Sequence, residues 1–142
     1  MPWCYNDNKA SNGIKYGKLY NWYAVHDPRG LAPIGYHIPT DAEWRQLSDY
    51  LGGEGVAGTK MRIASGLNSD NETNSSGFSS LLGGFRKFNE EFYPNDIFGF
   101  WWSSSQDHTF NAWSRSLHES SGDLYSGCYG NRSGLSVRCL RD

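Results

Sequence analysis

Pro39-Thr40-Asp41-Ala42-Glu43-Trp44 is a helix start written in full, and it sorts the rest of the chain. Thr40 is placed to accept from a free backbone N–H of the first turn, and Glu43, three residues on, to cap in return. Trp44, Leu47 and Leu51 follow at helical spacing and predict a core-facing stripe, which Gly52-Gly53 ends. A second, shorter helix carrying Met61 is predicted over Val56–Ile63. Beyond it the periodicity shortens. Phe78–Leu82, Gly84–Phe88, Phe98–Ser104, Asn111–Leu117 and Leu135–Leu140 read as short strands. Upstream, the aromatic run Tyr16–Val25 (YGKLYNWYAV) reads as an early strand, ahead of a Gly/Pro loop from Asp27 to Gly35. Ser65–Ser76 is polar and repetitive, and predicts a surface loop. Helices in the first half and strands in the second indicate an α+β domain rather than alternating βαβ units. With 142 residues, the expectation is one domain over 1–142.

Such short elements need large side chains to build a core. The chain supplies six Trp, nine Tyr and seven Phe, and breaks its path with 17 Gly. That combination predicts a loop-rich domain around an aromatic core. Net charge is −2 with no basic stripe, which argues against a nucleic-acid partner and against an anionic membrane surface. No apolar run approaches the length of a membrane span, so no membrane insertion is expected. The first residues, Met1-Pro2-Trp3-Cys4, lack the basic and apolar regions of a signal peptide. Cys4, Cys128 and Cys139 are odd in number and contain no CxxC, so buried or idle thiols are the reading taken over a disulfide scaffold.

Ala112-Trp113-Ser114-Arg115-Ser116-Leu117-His118 carries the functional argument. In a strand, alternate side chains share a face. Trp113, Arg115 and Leu117 then form a structural face, the arginine fixing a loop through hydrogen bonds, while Ser114, Ser116 and His118 form a small polar one. The run Glu119–Ser133 (ESSGDLYSGCYGNRS) continues in Ser, Gly and Tyr, and no Lys occurs after Lys87. Tyr gives contact area at low entropy cost, and Ser and Gly let neighbours adapt, as in antibody loops. A plain polar surface loop has the same composition, and both readings stand at this point.

The ordered blocks YGKLYNWYAV (Tyr16–Val25), LAPIGYHIPTDAEWRQLSDYLGG (Leu31–Gly53), GTKMR (Gly58–Arg62), NSSGFSSLLGGFR (Asn74–Arg86), FGFWWSSS (Phe98–Ser105), AWSRSL (Ala112–Leu117) and GLSVRCLRD (Gly134–Asp142) span nearly the whole chain. Over them it resembles the Fibrobacter succinogenes major paralogous domain. This family looks like a branch of the C-type-lectin-like superfamily, close to the formylglycine-generating enzymes. The resemblance implies a C-type-lectin-like fold: two helices, short antiparallel strands, long loops, and paired N- and C-terminal strands, here Tyr16–Val25 with Leu135–Leu140. It implies a framework of Trp22, Trp44, Trp101, Trp102, Trp113, Arg115 and Arg138.

The C-terminal block also resembles the variable protein of a diversity-generating retroelement, in which adenine-rich codons between fixed framework residues are randomised. An Asn codon treated so yields Ser, Gly, Tyr, His, Cys, Asp, Arg, Thr or Phe, but not Lys, Glu, Gln, Trp or Met. Ser114, Ser116, His118, Ser120, Ser121, Tyr125, Ser126, Gly127, Cys128, Tyr129, Gly130, Asn131 and Ser133 fit that output, as do Asp107, His108, Thr109, Phe110 and Asn111. Glu119 does not. The implied ligand-binding set is Asp107, His108, Phe110, Asn111, Ser114, Ser116, His118, Ser121, Tyr125, Gly127, Cys128, Tyr129, Asn131 and Ser133, with Tyr125 and Tyr129 as the aromatic anchors. His118 could add a pH-sensitive hydrogen bond, although an idle histidine is the plainer reading.

The expected function is therefore recognition of a ligand, protein rather than carbohydrate, on a virion, an extracellular surface or a cell surface, and not catalysis. A non-variable structural or adhesion domain is the alternative, and a degenerate formylglycine-generating-type enzyme the third reading. Those enzymes use a close cysteine pair, whereas Cys128 and Cys139 stand eleven residues apart. His26, His37, His108 and His118 have no metal-ligand spacing. His37 reads as structural. No cofactor is expected. The tripeptides through which calcium-dependent lectins hold sugar are missing. Asp70, Glu72 and Asn74 are alternating oxygen ligands without the rest of an EF-hand loop, which leaves structural calcium as an outside expectation.

Overall fold

The computed structural model describes residues 1–63 and 72–142. In chain order these form β1 (Trp3–Cys4), a single 3-10 turn (Asn6–Asn8), α1 (Ala10–Tyr16), β2 (Leu19–Tyr20), α2 (Trp22–Val25), β3 (Tyr36–His37), α3 (Asp41–Tyr50) and α4 (Glu54–Met61). Then follow β4 (Phe85–Arg86), β5 (Phe92–Tyr93), β6 (Phe98–His108), β7 (Asn111–His118), β8 (Tyr125–Gly130) and β9 (Leu140–Arg141). Mixed helices and small antiparallel sheets make this an α+β structure.

α3 begins as its sequence dictates. Thr40 Oγ1 accepts from the Glu43 N–H, and the Glu43 carboxylate accepts from the Thr40 N–H. Trp44 and Leu51 are buried, and Leu47 is half-buried. The helix closes in a Schellman arrangement: Gly53 N–H donates to Ser48 O at 2.8 Å and Gly52 N–H to Asp49 O at 3.0 Å. Gly52 has φ +103°, a conformation that favours glycine. α4 lies two residues nearer the N-terminus than the predicted Val56–Ile63. Its first turn forms directly on Gly53, and Arg62 has already turned extended.

The central sheet is antiparallel with order β6-β7-β8. Both of its faces are covered. Trp101, Leu117 and Leu124 pack with Trp44, Leu51, Ala57 and Met61 from α3 and α4. Phe100, Trp102 and Ala112 pack on the other side with Trp22, Val25, Ile38, Phe85 and Leu135. Four of the six tryptophans, Trp22, Trp44, Trp101 and Trp102, thus sit in two clusters separated by one sheet.

Several sequence expectations are corrected. Tyr16–Val25 is not one strand. Only Leu19–Tyr20 is extended, because Asn21 Oδ1 accepts from the Ala24 N–H at 3.0 Å and turns the chain into α2, burying Trp22 and Val25 on one side. The N- and C-terminal strands are consequently not paired with each other. β1 pairs β2, and β9 pairs β3 with Tyr36 opposite Arg141 and His37 opposite Leu140. What survives of the expected pairing is one bridge between Tyr20 and Leu135. Among the described residues four helices are present rather than two, α1 and α2 being the short additions. Phe78–Leu82 is irregular, meeting Arg62 through a single Ser80 bridge, and Gly84–Phe88 reduces to β4, paired with the unpredicted β5. β6 runs on to His108, past an irregularity between Trp102 and Gln106. β8, read as loop, is a strand.

Part of the predicted Ser65–Ser76 loop, with Asp70, lies outside the described residues. Its later part docks on α4: the Thr73 N–H donates to Thr59 O, and the Ser76 N–H and Oγ donate to Lys60 O. Glu72 is buried with its carboxylate 3.9 Å from Arg62, and both amide atoms of Asn74 bond Ser79. Glu72 and Asn74 are thus engaged by the protein itself.

Candidate ligand-binding face

β7 alternates as expected, but its neighbours decide what alternation means. Register places Ser114 opposite Trp102 and Gly127, Ser116 opposite Phe100 and Tyr125, and His118 opposite Phe98. Directly opposed residues share a face. The polar side of β7 is therefore the middle of an aromatic face, not an open polar surface. Ser114 is 1% exposed and donates to Gly127 O at 3.1 Å. The ring of Tyr129 packs edge-on against Phe85 at 5.4 Å and Phe100 at 5.2 Å. Ser116 and His118, nearer the far end, remain half-buried.

On the opposite face Arg115 is fully buried, its Nη1 donating to Asp41 Oδ1 at 2.7 Å and to Ser114 O at 3.1 Å. The arginine fixes the first residue of α3 rather than a loop. Leu117 is buried beside it, and Trp113 is half-buried opposite Cys128. The remaining framework tryptophans sit in the two clusters. Trp22 Nε1 donates to Ser103 O, and Trp102 Nε1 to Tyr20 O. Arg138 is exposed, yet its Nη2 donates to Phe78 O and its guanidinium lies 4.7 Å over the Phe78 ring.

The expected binding residues divide into three groups. The first is the end of the β6–β7 hairpin. Asp107, His108 and Phe110 are exposed there and Asn111 is half-buried, with Phe110 at 75% exposure and His108 Nδ1 3.3 Å from Asp107 Oδ2. Cys128 adjoins this group from β8. Burial first, and then the Asp107 carboxylate, push its thiol above the ordinary range.

The second group lies along β8 and the turn before it. Tyr125 is exposed, and its hydroxyl is held by Asp123 Oδ2 at 2.9 Å and Ser121 Oγ at 3.0 Å. Ser121, Gly127 and Tyr129 are half-buried. Desolvation pushes the Tyr129 phenol up, consistent with a ring divided between core and surface. Ser116, opposite Tyr125, and His118 join this group from β7. The His118 ring meets the Phe98 ring in a T-shaped arrangement at a 4.7 Å centroid distance, and its Nδ1 accepts from the Ser120 N–H at 3.1 Å.

The third group is buried. Besides Ser114 it holds Asn131, at 3% exposure, and Ser133, at 2%. Asn131 Nδ2 donates to Thr109 O, its N–H to Phe110 O, and its own carbonyl accepts from the Trp22 N–H. It ties the hairpin end to α2. These three residues present no surface to a ligand, and their place is in the framework.

Sequence reasoning missed the β4–β5 hairpin as the neighbour of this face. Tyr93 packs on Phe85 at 4.4 Å and on Phe98 at 5.7 Å, and Lys87 Nζ lies 4.7 Å over the Tyr93 ring. The signal was available as aromatic residues on either side of the turn-forming Asn89-Glu90.

Among the described residues no three His, Cys, Asp or Glu side chains gather as a metal site, and no helix is long and apolar enough to cross a membrane. The three cysteines are unpaired. No curated protein and no solved structure matches the chain. The model of the Fibrobacter succinogenes major domain matches residues 1–141, so the chain belongs to that family.

Proposed function

We propose that this protein is a C-type-lectin-like recognition domain, without catalytic activity, that binds a protein ligand through a sequence-diversified face. That face is built by the β6–β7 hairpin end and by β8. One observation carries the reading. Eleven of the fourteen residues expected to bind are at least partly at the surface, on β6, β7, β8 and their connecting turns, in a sheet held by one packed cluster on each side. Side chains there can change while the backbone stays, because surface substitutions away from special features are close to neutral in stability. Phe110 and Tyr125 are the exposed rings best placed to anchor a partner. The proposed set keeps Asp107, His108, Phe110, Asn111, Ser116, His118, Ser121, Tyr125, Gly127, Cys128 and Tyr129.

The test is to sequence the genomic neighbourhood of the coding region. The expected finding is a reverse transcriptase gene and a near-copy of the codons for residues 107–133 that differs only at adenines. Absence of both would overturn diversification and leave a non-variable binding or adhesion domain of the same fold.

A further inference from the structure

The two-residue strand β3 carries one histidine with both ring nitrogens engaged. His37 Nε2 is 2.8 Å from Glu43 Oε1, and Nδ1 is 2.7 Å from Asp142 Oδ1. Glu43 belongs to the first turn of α3, where its second oxygen accepts from the Thr40 N–H at 2.8 Å. Asp142 follows β9, and its N–H donates to Gly35 O at 3.1 Å. One imidazole therefore joins β3, α3 and the end of β9.

Ionised carboxylates only accept hydrogen bonds, and a neutral imidazole has one N–H and one lone pair. Neutral His37 can serve one partner, and must then point its lone pair at the other across a hydrogen-bond distance. Only the imidazolium donates to both. The protonation state therefore sets the number of bridges.

β9 pairs with β3 at two positions, Tyr36 with Arg141 and His37 with Leu140. It also closes a groove. Cys139 and Leu140 form one side of an apolar space of about 200 Å³, whose other side includes Pro39, Trp44, Leu47 and Phe78.

We propose that His37 is a protonation-dependent latch: charged, it clamps β9 to α3 across this groove, and neutral, it releases one of its two carboxylates and loosens residues 139–142.

The charged groups facing the ring are Glu43 from α3 and Asp142 from the β9 end. Arg141 on β9 stands opposite Tyr36 rather than His37, and Arg138, in the same groove, is engaged with Phe78. Asp41 of α3 is engaged by Arg115 and Arg45. The hydrogen bonds to Asp142 and then Glu43 push His37 above its ordinary value. Glu43 is held below its own, chiefly by the Thr40 N–H. A raised folded value means the His37 contribution is complete below the ordinary histidine value, and is lost as pH rises through the raised one. The Glu43 contribution is lost at the opposite end, as pH falls through its lowered value. The latch is closed between the two.

The experiment follows His37 and the Leu140 and Asp142 amides by NMR on the whole chain, from about pH 5 to about pH 9, spanning ordinary histidine titration. The expected result is a His37 midpoint above that of a histidine peptide in the same buffer. Amide exchange at 140 and 142, corrected for its intrinsic pH dependence, should rise by roughly twofold to fivefold through that midpoint, the range of an exposed ion pair. Asp142→Asn should lower the midpoint and carry the exchange transition with it. His37→Gln should leave exchange flat over the same range. A midpoint at or below the peptide value, exchange that ignores it, or wild-type behaviour in Asp142→Asn would overturn the latch.

Discussion

Ser114 and Tyr125 have equally plain sequence surroundings and opposite fates, and the difference is what stands across the strand. Ser114 faces Trp102 and Gly127 inside the aromatic face, whereas Tyr125 lies on the edge strand with half its surface in water. Substitutions should separate them. Phe110→Ser and Tyr125→Ser, at exposed positions, are expected to stay within about 0.5 kcal/mol of the parent. Ser114→Tyr forces a ring into a filled site and should cost roughly 1–3 kcal/mol or more. Asn131→Ala removes the bond to the Thr109 carbonyl in the exposed turn and should cost about 0.5–1.5 kcal/mol. Urea midpoints measured on the four variants decide the matter. Equal tolerance at Ser114 and Tyr125 would show that the face is far looser than its packing implies.

At the scale of elements, α4 shows how a helix is placed by what it touches. Its residues make a weak amphipathic pattern, and Gly58 in its middle is by itself unfavourable. The glycine is required because α4 lies directly on the turn between β7 and β8. A Cβ at residue 58 would stand 2.6 Å from Asp123 O and 2.7 Å from Gly122 O, both backbone atoms. The same contact is sealed by Thr59 N–H to Gly122 O at 3.2 Å and Leu124 N–H to Glu54 O at 2.8 Å. In an isolated helix Gly58→Ala would gain about 1 kcal/mol. Here the sign should reverse, to a loss of roughly 1–3 kcal/mol from overpacking. Thermal denaturation reads the sign directly, and a higher Tm would mean that α4 does not hold the turn this closely. α3 is the contrasting case. Its capping box, its buried Trp44 and Leu51 and its double-glycine stop are all local devices, and the helix stands where those devices put it.

Across the whole molecule, the Arg115–Asp41 pair joins the central sheet to α3 through a guanidinium with no exposed surface. Arg45 reaches the same carboxylate from the helix surface at 2.7 Å. Arg115→Met should therefore destabilise the fold by about 3 kcal/mol, the low end for breaking a buried pair, because Asp41 keeps its second partner. Chemical denaturation of this variant beside Arg45→Met, a mostly exposed partner expected to cost under about 1 kcal/mol, tests whether the buried contact is the one that matters. What the chain determined by itself was whatever depends on near neighbours: α3 and its caps, the strands β6 and β7, the α+β order of elements, and the family its ordered blocks belong to. Tertiary structure decided the rest. Tyr16–Val25 has strand-forming residues, yet Asn21 and the burial of Trp22 turn its last four residues into α2, and β9 finds β3 instead. Ser114, Asn131 and Ser133 share the composition of their exposed neighbours. The register of β6, β7 and β8 buries Ser114, and the bonds that tie Asn131 to the hairpin end and to α2 bury the turn after β8, because exposure belongs to a residue's tertiary neighbours and not to its own type.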